Sequence, residues 1–176
     1  MNRPRAILLA GPVFSGKSLF VERLVCALRA AGLSVSGFLQ RGVFGPDGRK
    51  IGYDLVGLSS GACLPLARRS EEGDRWLFED ASFEAALAEL RDGADLTVID
   101  ELGHLELAGK GHTAAVDRAL SSSIPVLAVV REALADDAEK WLSTRAKVTR
   151  IRFEPGRDEE IAASIRAALL RTDAAH

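Results

Sequence analysis

Residues 11–18 read GPVFSGKS and follow directly after the apolar run AILLA at residues 6–10. They match the phosphate-binding pattern G-x-x-x-x-G-K-[ST], whose glycines permit a tight loop with successive backbone N–H groups turned toward a phosphate. A helix that begins after Lys17 would add unpaired N–H groups and the positive end of its dipole. The stretch therefore predicts a strand buried on both faces, a phosphate loop and a helix that ends near Gly32.

The loop supplies the first candidate site residues. In this pattern the lysine, here Lys17, reaches the β- and γ-phosphates, and the hydroxyl of Ser18 can ligate Mg²⁺. The alternative is an ordinary glycine turn followed by an exposed lysine. We expect Lys17 to be exposed while no nucleotide is bound, so that its removal leaves the fold intact. The predicted nucleotide-binding residues are Gly11, Pro12, Val13, Phe14, Ser15, Gly16, Lys17 and Ser18.

A second chemical signature is the apolar run LTVI at residues 96–99, which leads into two carboxylates. In open parallel sheets, ligands bind at the carboxyl ends of the strands, so Asp100 is predicted to lie beside the phosphate loop and to hold Mg²⁺. Glu101 would then orient and deprotonate a water that attacks the γ-phosphate. The alternative for such a pair is a solvated turn. Arg131, which follows the buried run VLAVV at residues 126–130, is the third catalytic candidate, as a γ-phosphate sensor.

Hydrophobic periodicity predicts an α/β fold with right-handed crossovers and helices on both faces of a mostly parallel sheet. Apolar runs indicate strands at 6–10, 34–40, 96–99, 126–130 and 148–153. Helical spacing indicates helices after Lys17 and over 83–90, 114–120, 134–142 and 158–169. No repeat or linker interrupts this alternation, so the chain is predicted to be a single domain over residues 1–176.

Residues 41–75 have a different character. The turn sequence GPDG at 45–48 lies between short apolar stretches, which predicts an antiparallel extension of the sheet around residues 41–68. Basic residues are dense in this segment, and they would face the nucleotide cleft as a cationic cover; a solvated basic rim is the alternative. They are Arg41, Arg49, Lys50, Arg68, Arg69 and Arg75.

Composition limits the remaining possibilities. The formal net charge is −2, from 23 basic and 25 acidic residues, which argues against a bulk electrostatic grip on nucleic acid or on an anionic membrane. No apolar run approaches the roughly 20 residues needed to span a bilayer, and the N-terminus lacks the apolar core of a signal peptide. Cys26 and Cys63 are expected to be buried or half-buried free thiols. We therefore expect a cytoplasmic protein. The sequence makes no prediction about a protein partner.

Residues 100–106, DELGHLE, resemble the acidic motif of the THEP1 family of P-loop nucleoside-triphosphatases. Other family features recur in the same order: Gly-Phe at 37–38, GRKIGYD at 48–54, VVR at 129–131 and Arg-Asp at 157–158. The resemblance implies a RecA-like sheet and slow, Mg²⁺-dependent hydrolysis of ATP, GTP and other nucleoside triphosphates to the diphosphate and phosphate. It assigns function to residues 11–18 and to Asp100 and Glu101. This chain departs from the family in having Phe14 where a third loop glycine is common.

Two other functions use the same motifs. A small-molecule or nucleotide kinase would use the basic segment as a lid, and a nucleotide-gated adaptor for cofactor assembly would show negligible turnover and require a protein partner. The chain lacks the Asn-Lys-x-Asp guanine signature of many GTP-dependent proteins. Release of phosphate by the purified protein, without any acceptor, distinguishes hydrolysis from both.

Overall fold

The computed structural model describes residues 3–73 and 75–170, and within them an eight-stranded sheet organises the chain. The spatial order of its strands is β5-β4-β3-β2-β6-β7-β1-β8. The strands are β1 (Arg5–Gly11), β2 (Val35–Phe44), β3 (Lys50–Gly57), β4 (Cys63–Arg69), β5 (Trp76–Phe78), β6 (Leu96–Leu102), β7 (Val126–Arg131) and β8 (Lys147–Arg152). The helices are α1 (Lys17–Ala30), α2 (Asp80–Ala88), α3 (His104–Leu107), α4 (Thr113–Leu120), α5 (Ala135–Ser143) and α6 (Asp158–Leu170).

The sheet has a parallel and an antiparallel part, as predicted. Strands β2, β6, β7, β1 and β8 pair in parallel, whereas β2–β3, β3–β4 and β4–β5 pair antiparallel. Strand β2 belongs to both parts, because its first residues pair with β6 and its later residues, 38–44, pair with β3. The three-residue strand β5 was not predicted, since a run this short carries no readable alternation.

Both faces of the parallel part are buried, which explains the unbroken apolar run in β1. Leu8 and its alternate neighbours pack with residues of α2, α4 and α5 on one face. Leu9 packs with residues of α1 and α6 on the other face. Full burial of a leucine side chain stabilises a fold by roughly 1.5–3 kcal/mol, so this buried strand anchors the loop that follows it.

The cysteine prediction is wrong in one respect: Cys26 and Cys63 are free, but both are exposed. Cys26 falls on the solvent side of α1, between the buried positions Val25 and Leu28, and Cys63 begins β4. None of the helices within residues 3–73 and 75–170 is long and apolar enough to cross a membrane.

Candidate active site

The predicted phosphate loop joins β1 to α1 as the motif requires. Gly11 ends β1, and a Cβ at this position would lie 2.9 Å from the Cβ of Phe153. Gly16 precedes α1 with φ of 91°, a left-handed conformation that glycine adopts without strain. Phe14 also has a positive φ, 58°, and is the non-glycine residue that takes this conformation in the described chain. The position at which the family commonly has glycine therefore has the backbone that favours glycine.

The Lys17 side chain is buried, so the expectation of an exposed lysine is wrong. Its Nζ donates hydrogen bonds to the carbonyl oxygens of Gly11, at 2.8 Å, and Pro12, at 2.6 Å, and the residue is 7% exposed. Burial lowers the pKa of the ammonium, against the raising effect of the nearby Glu101 and Asp100 carboxylates. The loop folds around its own lysine because the curled backbone presents carbonyl acceptors at the reach of that side chain.

Asp100 and Glu101 both reach the cavity beside the loop because of a bulge in β6. Asp100 is opposite Val129 of β7 and Leu102 is opposite Val130, so Glu101 is an extra residue in the ladder. Successive side chains of a regular strand point to opposite faces, and a bulge re-aims them. Here the bulge lets both carboxylates line one cavity.

The Asp100 carboxyl is buried, at 1% exposure, and its Oδ2 atom has no hydrogen-bond partner among the described residues. Burial, together with the neighbouring Glu101 charge, raises the pKa of Asp100 to about 7, against hydrogen bonds from the Ser18 hydroxyl and the Gln40 backbone and the charge of Lys17. The unpaired Oδ2 atom of Asp100 and the hydroxyl of Ser18 are two oxygen atoms that can ligate a cation. The structure thus brings together the two residues that the sequence proposed for Mg²⁺.

Glu101 forms an ion pair with Arg131, the last residue of β7. The Glu101 Oε1 atom lies 2.6 Å from Nη2 and accepts a hydrogen bond from Nε at 2.9 Å. No described residue hydrogen-bonds to Oε2 of the same carboxylate. Burial lowers the pKa of Arg131, but the hydrogen bonds and charges of Glu101 and Tyr53 outweigh burial and raise it. Each residue was a candidate by itself, and the structure adds that they form an ion pair.

These groups line a cavity of about 360 Å³, within the roughly 300–1,000 Å³ typical of small-molecule sites. Its walls include Val13–Ser18 of the loop together with Asp100, Glu101 and Arg131. The opposite wall comes from the antiparallel part of the sheet, which sequence reasoning placed only roughly. That wall includes Gln40, Arg41, Gly42, Phe44, Lys50 and Tyr53.

The basic segment contributes less to the cavity than expected. Of its six basic residues, Arg41 and Lys50 line the cavity. Arg68 forms an ion pair with Asp54, with 2.5 Å between Nη2 and Oδ1. The Arg69 guanidinium lies over the Trp76 ring, 4.8 Å from the ring centroid. Arg49 pairs with Asp47 on the exposed turn. The antiparallel strands therefore use part of this positive charge for their own contacts.

Lys50 instead joins the antiparallel hairpin to the phosphate loop through aromatic rings. Its Nζ lies 4.8 Å from the ring centroid of Phe14, 5.6 Å from that of Phe44 and 4.6 Å from that of Tyr53. A lysine within about 6 Å of ring faces is attracted by their quadrupoles. Sequence spacing carries no signal for this cluster. Phe14 belongs to the phosphate loop and Lys50 and Tyr53 belong to the 48–54 stretch, and only the fold brings these two segments together.

Glu106 stabilises the local backbone. Its buried carboxylate accepts hydrogen bonds from the backbone N–H groups of Gly103, at 2.8 Å, and His112, at 2.9 Å. It thereby braces the turn that follows Glu101. His104 is exposed on the same short helix.

His112 is a buried, uncharged residue behind this turn. Its ring lies 4.4 Å from the Phe38 centroid and 4.8 Å from the Phe83 centroid. Burial lowers the pKa of His112 from its usual value near 6.5 to about 4. The imidazole is therefore neutral at physiological pH.

This shift makes stability depend on pH. Because the folded pKa lies below the unfolded one, the unfolded chain binds more protons between pH 6.5 and 4, and stability falls as pH decreases across that window. Relative to His112→Phe, the parent should lose up to about 3 kcal/mol of unfolding free energy over this range. Urea unfolding at several pH values measures it, with the exposed His104→Asn as control. Parallel pH curves for the parent and His112→Phe would contradict the assignment.

Comparison with known proteins places these features in a family. The model of a protein family described as NTPase matches residues 6–165. The chain is 34% identical over 134 residues to the cancer-related nucleoside-triphosphatase homolog of Bos taurus, which covers 66% of this chain and 70% of that protein. It is 31% identical over 138 residues to the nucleoside-triphosphatase THEP1 of Ignicoccus hospitalis, over 74% of this chain and 78% of that protein.

A solved structure extends the likeness to the whole fold. The solution structure of a human cancer-related nucleoside triphosphatase matches this chain with a TM-score of 0.72 at 26% identity. The match covers 96% of this chain and 100% of that chain. At this coverage it includes the antiparallel extension as well as the parallel part of the sheet.

Proposed function

The chain belongs to the family of THEP1 and cancer-related nucleoside-triphosphatases, and from that premise we propose how its own residues carry out the hydrolysis. The protein is a nucleoside-triphosphatase. The observation that supports the assignment of the site is the convergence of the loop, Asp100 and the Glu101–Arg131 pair on one cavity. We place the triphosphate there, with the phosphates on Val13–Ser18.

The residues present fit a magnesium ion. Mg²⁺ takes oxygen ligands, keeps several waters and is usually held in such sites by one or two protein groups together with the substrate phosphates. The Ser18 hydroxyl and the unpaired Oδ2 of buried Asp100 provide such a pair. When bound, the ion neutralises charge that develops on the phosphates.

The protein groups have distinct roles in the proposed hydrolysis. Lys17 binds the β- and γ-phosphate oxygens, in exchange for its bonds to the loop carbonyls. The Glu101 Oε2 atom, which no described residue engages, accepts a proton from the attacking water while Arg131 holds the carboxylate through Oε1. The water oxygen forms the new bond to the γ-phosphorus as the bond to the β–γ bridging oxygen breaks. The products are the nucleoside diphosphate and phosphate.

We propose that the enzyme accepts ATP, GTP and other nucleoside triphosphates. The cavity offers exposed aromatic faces, Phe14 and Phe44, on which any base can stack, and stacking discriminates little between bases. We also propose that the protein is cytosolic and that residues 1–176 form a single domain. The unpaired thiols of Cys26 and Cys63 favour a reducing compartment.

Phosphate release by the purified chain tests the proposal. ATP, GTP, CTP and UTP are each supplied with and without Mg²⁺ and without any acceptor. We expect release from all four and a strong requirement for Mg²⁺. Hydrolysis of one nucleotide alone would contradict the broad specificity, and equal rates in a chelator would contradict the metal site.

Asp100→Asn is expected to weaken the binding of Mg²⁺. The amide keeps the size of the carboxyl but removes its charge, and even outer partners of metal ligands are typically worth 10–100-fold in metal affinity. The Mg²⁺ concentration for half-maximal hydrolysis should therefore rise at least about tenfold. Asp92→Asn is a matched control, because the Asp92 side chain is 94% exposed near the start of the same strand. An unchanged Mg²⁺ titration would remove Asp100 from the site.

A further inference from the structure

A second cavity of about 280 Å³ lies against the first one. Both cavities are lined by Gln40, Tyr53, Glu101 and Arg131, so these four residues form a common wall. The proposed hydrolysis fills only the first cavity, on the side of the phosphate loop. The second cavity lies between the antiparallel strands and the turn that Glu106 braces.

Four aromatic side chains lie in the walls of the second cavity. Trp76, Phe78 and Phe83 line it, with Tyr53 at the common wall. Phe78 is 44% exposed and stacks on Phe83 at 6.0 Å between centroids, so the cavity reaches the surface beside Phe78. Rings arranged in this way present faces and edges to a flat, apolar molecule.

The polar groups of the second cavity favour an uncharged occupant. Glu101 and Arg131 neutralise each other, and the Glu106 carboxylate is already satisfied by two backbone N–H groups. His112 is neutral, 1% exposed, and neither of its ring nitrogens has a hydrogen-bond partner among the described residues. A buried polar group without a partner is uncommon in native structures and calls for an explanation, such as a bound molecule. A charged ligand would lose its hydration here without gaining a counter-charge.

We propose that this second cavity binds a small, uncharged, planar aromatic molecule that carries one amide-like group, with its ring among Trp76 and Phe83 and its polar group on His112. Such an occupant would contact Glu101 and Arg131 from the side opposite the nucleotide. It would thereby alter how the pair is held and change the rate of hydrolysis. The binding stands on the cavity alone, whereas the effect on rate rests on the proposed function of Glu101.

Binding can be measured with nicotinamide and benzamide as probes, by NMR of the two tryptophan indole N–H signals. Saturating ADP and Mg²⁺ keep the probes out of the nucleotide cavity. The Trp76 signal should shift saturably, with a Kd on the order of 1 mM or tighter for molecules of this size. Trp141 is an internal control, because it packs on α5 against Arg145 and does not line the cavity. Trp141→Phe assigns the two signals.

The absence of a saturable Trp76 shift at about ten times that concentration would overturn the proposal. Equal shifts of both indoles would also overturn it, since they indicate nonspecific binding. If a water molecule is the sole natural partner of His112, no saturable Trp76 shift will be observed.

His112→Phe tests the polar contact. The substitution keeps a ring between Phe38 and Phe83 but removes both nitrogens, so affinity for benzamide should fall about fivefold, the usual contribution of one hydrogen bond. Toluene, which has no polar group, should bind the parent and the variant equally. Equal benzamide binding would overturn the role of His112; the parent titration remains decisive for the site if the variant fails to fold.

The effect on rate is measured separately. Saturating nicotinamide should change kcat for ATP by about fivefold or more, the lower end of typical coupling between sites. A saturable Trp76 shift with unchanged kcat would overturn the coupling. If the proposed role of Glu101 is wrong, a Glu101 variant will hydrolyse ATP at the normal rate. The Trp76 titration will be unaffected by that result.

Discussion

Glu101→Gln is expected to lower kcat for ATP hydrolysis by about 10²–10⁴-fold, the usual contribution of general-base catalysis, with little change in nucleotide affinity. Glutamine keeps the size and most of the hydrogen bonding of the side chain but cannot accept the proton of the attacking water. Equilibrium nucleotide binding and single-turnover hydrolysis at fixed Mg²⁺ separate the two effects. The contrast with Asp100→Asn, which should also weaken Mg²⁺-dependent binding, distinguishes the two carboxylates.

The ion pair with Arg131 supplies an additional control for this variant. If Arg131 acts by holding Glu101, the effects of Glu101→Gln and Arg131→Gln on kcat should not be additive in the double variant. Full additivity would give Arg131 an independent role on the γ-phosphate. If Glu101→Gln hydrolyses ATP within about threefold of the parental rate, the loss is smaller than the usual contribution of a general base. The role would then belong to a water positioned by the phosphates or to His104.

Lys17→Met is expected to reduce turnover by about 10²–10³-fold, the loss typical when one preorganised donor to the developing charge is removed. Methionine keeps most of the aliphatic stem beside Gly11, so packing changes little. The carbonyls of Gly11 and Pro12 lose their donor, but a poorly solvated ammonium is removed at the same time. Thermal unfolding should therefore stay within about 5 °C of the parent.

Lys110→Met serves as the control for Lys17→Met, because Lys110 is exposed in the turn between α3 and α4. Turnover should be unchanged in this variant. A Lys17→Met protein that hydrolyses ATP at the parental rate would contradict the assignment of the loop.

Local motifs allowed much of the site to be predicted. The loop at 11–18 is contiguous, and Asp100 ends an apolar run, so both could be placed from spacing and from the rule for strand ends. The mostly parallel character of the sheet followed from the alternation of strands and helices. The mutual arrangement of Glu101 and Arg131 did not, because it depends on the neighbouring positions of β6 and β7.

The rest of the site depends on features that leave no local trace in the chain. A bulge at Glu101 aims two adjacent carboxylates into one cavity, whereas a regular strand would separate them. The burial of Lys17 arises from loop carbonyls that exist only in the folded backbone. His112 and Trp76 are 36 positions apart in the sequence and meet at the second cavity only through tertiary packing.

The left-handed backbone of Phe14 has a consequence for the entropy of nucleotide capture. A glycine there would sample a wide range of conformations in the free protein and lose that freedom when the loop closes on phosphate. A phenylalanine at φ of 58° occupies a narrow well, and its ring is held under the Lys50 ammonium. The smaller loss of freedom favours association, whereas the steric strain of a left-handed phenylalanine opposes it, so Phe14→Gly should change nucleotide affinity by the difference between these two contributions.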